Sequence, residues 1–214
     1  VKKAKPGPVD DFEPQRVCDA VNRLGLSHVV LTSPTRDDLK DGGVGIYCET
    51  VKRILNLSSK KTVETLIPDF QGKKELLQKI ASSGAQVIAH NLETCPSLYI
   101  EVRPGADYQR SLAVLGYIKN THPEIYTKSG LMLGLGESEQ EIKFVLEDLR
   151  KVNCDFLTLG QYLPPTRSSF PLKEYITPQK FKAYAKYAIK LGFLEVKSST
   201  YTRSSYLADS FLKG

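Results

Sequence analysis

The feature that most constrains this chain is a repeated alternation of short apolar runs with longer amphipathic stretches. His28–Thr32, Val63–Ile67, Gln86–His90, Leu131–Leu135, Phe156–Leu159 and Phe193–Val196 are compact runs rich in β-branched and aliphatic residues. Between them lie Val44–Leu57, Lys73–Ser82, Tyr108–Lys119, Glu139–Val152 and Pro178–Leu191, in which apolar residues recur at helical spacing. Ile142, Val145, Leu146 and Leu149 form one such stripe. Thr177 is placed to cap the last helix at its start and Gly192 to end it. Strands alternating with helices in this way predict a parallel sheet built from βα units.

Polar, Gly-containing loops recur after these runs, at Ser33–Gly43, Pro68–Gly72, Asn91–Thr94, Gly134–Glu137 and Gly160–Thr166. In a barrel all of them meet at the C-terminal face, whereas in an open doubly wound sheet only those at the switch point converge. The expectation is therefore an α/β fold, a partial TIM-like barrel of about six βα units. Ser198–Gly214 breaks the alternation and reads as a tail, so residues 1–197 are expected to form the barrel and 198–214 an appendage.

Composition narrows the classes. Of 214 residues, 41% are hydrophobic and 25% charged, which excludes a largely disordered chain. No apolar run approaches the roughly 18 residues of a membrane span. Cys18, Cys48, Cys95 and Cys154 include no Cys-x-x-Cys pair and no zinc spacing, so reduced, buried thiols are expected. The net charge of +6 comes from basic residues spread along the chain, which argues for an acidic partner over nucleic acid. The opening Val1–Pro8 has no apolar stretch after its basic residues and reads like the interior of a longer protein.

Several loops carry residues suited to chemistry. Asn91 and Glu93, two apart at a strand end, fall on the same side, where an amide and a carboxylate together hold vicinal hydroxyls such as those of a ribose. His90 beside them is either a base or ligand, or a satisfied structural residue. Gly134-Leu-Gly136-Glu137 is either a tight strand-to-helix turn or a phosphate-type cradle; the third glycine of the dinucleotide fingerprint is missing. Arg36-Asp-Asp38 and Asp41-Gly-Gly43 read as a charged loop network without EF-hand spacing. Arg103, Lys128 and Ser129 add cations and a hydroxyl, and Arg203-Ser-Ser-Tyr206 places two hydroxyls in the tail.

Taken together, these stretches resemble lipoyl synthase, a radical S-adenosylmethionine family. The resemblance runs through Arg36-Asp-Asp-Leu39 and Asp41-Gly-Gly43, Leu66-Ile-Pro-Asp-Phe70 and His90-Asn-Leu-Glu-Thr94. It continues through Val102–Tyr108, Thr127–Glu137, Leu159–Leu163 and Arg203-Ser-Ser-Tyr206, all in family order. It implies a partial radical-SAM barrel and an enzyme that inserts sulfur at C6 and C8 of a protein-bound octanoyl group. It also implies S-adenosylmethionine and two [4Fe–4S] clusters as cofactors. The implied partners are an octanoylated lipoyl carrier domain and an electron donor such as flavodoxin or ferredoxin, for a cytoplasmic, bacterial-type monomer without nucleic acid or membrane. Carried over residue by residue, Asn91 and Glu93 resemble the ribose contacts. By the same resemblance Lys128, Ser129, Gly134, Gly136, Glu137 and Arg103 would line the rest of that site, and Ser205 (or Ser204) resembles an oxygen ligand of the second cluster. The family's Cys-x4-Cys-x5-Cys and Cys-x3-Cys-x2-Cys sets would precede Val1, and none of the four cysteines here matches either, so the chain reads as a fragment lacking its cluster ligands. The alternatives are a cluster-free barrel that binds a nucleotide or carrier protein, and an ordinary phosphate-binding barrel enzyme.

Overall fold

The computed structural model describes residues 6–212; the basic start at 1–5 and the last two residues of the tail lie outside them. Six strands, β1 (His28–Thr32), β2 (Thr62–Leu66), β3 (Val87–Ala89), β4 (Tyr126–Leu133), β5 (Phe156–Gln161) and β6 (Glu195–Ser199), pair in sequential order. Every pairing is parallel, and among the described residues β1 and β6 are the sheet's two edges, so the sheet is a partial barrel. The helices are α1 (Glu13–Arg23), α2 (Val44–Leu57), α3 (Lys74–Ala81), the single turn α4 (Tyr99–Val102), α5 (Tyr108–Thr121), α6 (Glu139–Lys151) and α7 (Pro178–Leu191).

Local sequence explains these elements. In α2, Val44, Tyr47, Val51 and Ile54 bury one stripe, and Gly43 precedes it at φ 82°, which an L side chain resists. Helix α7 has the predicted Thr177 cap, whose hydroxyl accepts from Lys180 N at 3.2 Å, and stops at Gly192 with φ 101°. The helices cover one face of the sheet. Val29, Val63 and Ile88 meet α2, α3 and α5 there, and Leu131, Leu133, Leu157 and Leu159 meet α5, α6 and α7.

The opposite face differs in composition. Val30, Glu64 and Val87 share one register row, Ala89, Lys128 and Phe156 another, and Gly130, Thr158 and Lys197 a third. This mixture of charge, glycine and aromatic side chains is covered by the chain's own C-terminal segment. After β6 the backbone turns at Ser199–Thr202 and recrosses the inner face. A Cβ at Gly160 would lie 2.2 Å from Thr202 O, so only glycine there admits the segment. It ends in a 3-10 turn, Ala208–Leu212, that packs against β1 and sets Phe211 on Phe156 at 4.9 Å. Through Thr202, Ser204 and Phe211 the described part of this segment packs on the barrel's inner face.

Candidate functional site

At the C-terminal ends of β1 to β3 opens a cavity of about 970 Å³, lined by Thr32, Ser33, Asp69, His90, Asn91, Glu93, Arg103 and Arg110 among others. Its floor is built just past β3. Glu93 sits at φ 65°, a left-handed conformation unusual for a residue with a side chain. That conformation lets its backbone dock on β4, its N–H donating to Gly130 O at 2.9 Å and its carbonyl accepting from Met132 N at 2.8 Å. The strained turn brings the Glu93 carboxylate to Asn91, whose Nδ2 donates to Glu93 Oε1 at 3.0 Å and to Ser204 Oγ at 2.8 Å. The two residues meet as expected, through this turn where simple strand alternation was the expected route.

Two polar groups of this floor are desolvated. Asn91 Oδ1 is buried with no hydrogen-bond partner among the described residues. Burial raises the Glu93 carboxyl above its ordinary value, so a donor reaching it would be bound strongly. An acceptor amide oxygen beside a desolvated carboxyl is a pair that two neighbouring hydroxyl donors could satisfy.

The surrounding residues hold this arrangement. Arg103 Nη1 donates to Asn91 O and Leu92 O, each at 3.2 Å, and to Tyr99 Oη at 2.9 Å, while its guanidinium lies over the Tyr99 ring. His90 is a structural residue. Its Nδ1 lies 2.9 Å from Ile67 O, which can only accept, so Nδ1 carries the proton and Nε2 accepts from Ser111 Oγ at 3.1 Å. Arg110 closes the rim through Asp69 at 2.6 Å.

The other candidates fall elsewhere. Lys128 and Ser129 are consecutive on β4 and point to opposite faces: Lys128 reaches inside to Glu64, and Ser129 Oγ accepts from Leu92 N on the outer side. Gly134, Gly136 and Glu137 form a self-contained turn in which Glu137 Oε1 accepts from Gly134 N at 2.6 Å and Oε2 from Leu135 N at 2.9 Å. That turn packs against Lys173 and Glu174, outside the cavity lining. Ser204 reaches Asn91, while Ser205 lines a separate cavity near Gly25–His28.

Sequence reasoning passed over Glu64, which is fully buried against Lys128; its signal was a carboxylate in the middle of the apolar run Val63–Ile67. The cysteines do not fit an iron–sulfur cluster. They are free and separately placed, and burial raises the thiol of each, with Cys154 pushed up to about 12. Among the described residues no group of three or more His, Cys, Asp or Glu side chains is arranged to hold a metal ion.

Comparison with known proteins bears on this geometry. A family model described as the radical SAM superfamily matches residues 4–149. Proteins named lipoyl synthase are similar along the whole chain. That of Geobacter sp. (strain M21) is 50% identical over 213 residues, covering 100% of this chain and 73% of its own length. That of Alkaliphilus metalliredigens is 52% identical over 206 residues, covering 96% and 71%. Among solved structures, methylornithine synthase superposes with a TM-score of 0.65 at 13% identity, over 99% of this chain and 73% of that one. HydG, a maturase of the [FeFe]-hydrogenase, gives 0.65 at 15% identity, over 94% and 52%. These two likenesses concern the fold.

Proposed function

The chain belongs to the lipoyl synthases of the radical S-adenosylmethionine superfamily, and on that premise we propose that its mouth cavity takes the nucleoside of S-adenosylmethionine, with Asn91 and Glu93 as the ribose contacts. The activity is that of a radical SAM enzyme that inserts sulfur into a carrier-bound octanoyl group, using S-adenosylmethionine, a [4Fe–4S] cluster and a reductant. The cluster-free binding module weighed as an alternative has no support in these likenesses.

The observation that carries the site is the unpartnered, buried Asn91 Oδ1 next to Glu93. A ribose hydroxyl donating to Oδ1 and another donating to Glu93 would satisfy both groups. Arg103 then serves by fixing the Asn91 and Leu92 carbonyls, holding the floor rigid while the ligand binds. Bound S-adenosylmethionine supplies the adenosyl group from which the radical chemistry starts; the residues here bind, orient and shield it. The described cysteines do not form a cluster site. A second, sulfur-donating cluster would take a tail serine as its oxygen ligand, and of Ser205 and Ser204 the latter is the one bonded to Asn91.

For partners, a net charge of +6 suits an acidic lipoyl carrier domain, with a flavodoxin- or ferredoxin-like donor. The relatives named above are bacterial, and no helix among the described residues is long and apolar enough to cross a membrane. The test is Glu93→Ala in the full-length, anaerobically reconstituted protein. Loss of one ribose hydrogen bond should weaken S-adenosylmethionine about tenfold by titration. Unchanged affinity would remove Glu93 from the site.

A further inference from the structure

We infer that Glu64 and Lys128 are positioning residues, a buried clamp that holds the C-terminal segment inside the barrel and thereby presents Ser204 to Asn91. Both side chains are 0% exposed. Lys128 Nζ donates to Glu64 Oε1 at 2.9 Å, to Oε2 at 3.0 Å and to the Ser204 carbonyl at 2.6 Å. An ammonium has three N–H donors, so the set is complete and Lys128 is turned to the tail, leaving Asn91 and Glu93 to face the ligand. The Phe211 ring covers the same ammonium at 4.5 Å. The carbonyl of Ser204 is therefore fixed by β4 while its hydroxyl accepts from Asn91 at 2.8 Å.

The chemistry favours placement over stability as the role of this pair. A buried ion pair gains little over an apolar pair of equal volume, because desolvation offsets the attraction. What an apolar pair cannot do is grip a main-chain carbonyl. The clamp ties together residues 64, 128 and 204, which are 64 and 76 positions apart in the chain. It gives the Arg203–Tyr206 segment one seat against the mouth-cavity floor.

The test uses the full-length reconstituted enzyme. The double variant Glu64→Gln/Lys128→Met removes both charges together, so no lone buried charge is left to unfold the chain. Amide exchange read by mass spectrometry should accelerate about tenfold for residues 200–212, with the β-strand peptides unchanged. In the same variant, kcat for lipoyl formation should fall about tenfold while KM for S-adenosylmethionine stays within about threefold, because Asn91 keeps Glu93. Gly160→Ala is the second variant. It pushes on Thr202 from β5 without touching the pair, so it should free the same peptide even if the double variant does not fold. Unchanged tail exchange in a folded double variant overturns the clamp. A freed tail with unchanged kcat, in either variant, overturns the positioning role. The exchange measurement needs no nucleoside, so failure here is distinguishable from failure of the Glu93 contact.

Discussion

At the scale of single residues, His90 shows the fold setting a protonation state. Burial lowers its imidazole pKa from 6.5 to about 4, while the hydrogen bond to Ile67 O opposes the change. Burial is what favours the neutral ring, in which Nε2 accepts from Ser111. The sign of the linkage follows. Below about pH 6.5 the unfolded chain binds a proton that the folded chain refuses, so stability contributed above that pH is lost as pH falls towards 4. The loss amounts to about 3 kcal/mol. Urea unfolding between pH 7 and 4 should show this slope, and a folded His90→Gln variant should lack that part of it. An identical slope in the variant would mean that other groups carry the acid sensitivity.

At the scale of elements, helix α6 shows how a local signal becomes a boundary. Ser138 Oγ accepts from Glu141 N at 3.2 Å, and Glu141 Oε2 accepts from Ser138 N at 2.8 Å, a reciprocal cap on the first turn. Ser138→Ala should lower stability by about 1 kcal/mol in denaturant unfolding without changing the slope of the transition. A larger loss would show that the cap also supports the preceding turn. Gly134→Ala should disturb that turn more severely. Its φ is 100°, and a Cβ there would lie 2.2 Å from Glu174 O, so the loop leading to α7 must move. A cost of at least about 1–3 kcal/mol is expected from strain alone, read as a lowered denaturation midpoint.

Such boundaries were legible because caps and apolar stripes are local. Val44–Leu57 and Pro178–Leu191 appear in the structure with the expected ends. Strand β4 was legible only in its second half. It begins at Tyr126, but its first five residues include Lys128 and Gly130, which break an apolar pattern. They belong there because the inner face receives a polar chain segment, and nothing local in Tyr126–Gly130 announces that. Helix α1 was passed over for a related reason: only Pro14, Cys18 and Val21 are buried, too sparse a stripe to stand out. The same limit governs the site. Asn91 and Glu93 are neighbours in sequence and could be read together, whereas Ser129 was grouped with Lys128 although consecutive strand residues face opposite ways.

At the scale of the whole molecule, the central fact is that a six-stranded open sheet fills its inner face with its own C-terminus. Each contact of that segment answers an oddity in the strands: Thr202 against Gly160, the Ser204 carbonyl on the buried Lys128, Phe211 against Phe156. Of these, Phe211 is the anchor furthest from the mouth cavity. It is 4% exposed, and besides Phe156 its ring faces the ammonium groups of Lys128 and Lys197 at 4.5 and 5.5 Å. Removing it creates a cavity and strips the aromatic cover from Lys128, for which about 3–5 kcal/mol is the expected cost of a buried Phe→Ala change. The tail makes its contacts locally, so the loss should fall first on tail docking and only partly on the cooperative unfolding of the strands. Brief proteolysis of Phe211→Ala should therefore cut within 200–212 and leave a resistant core ending near Ser199. Uniform degradation of the whole chain would mean that the segment and the sheet fold as one unit, with the tail as much a part of the core as the strands it covers.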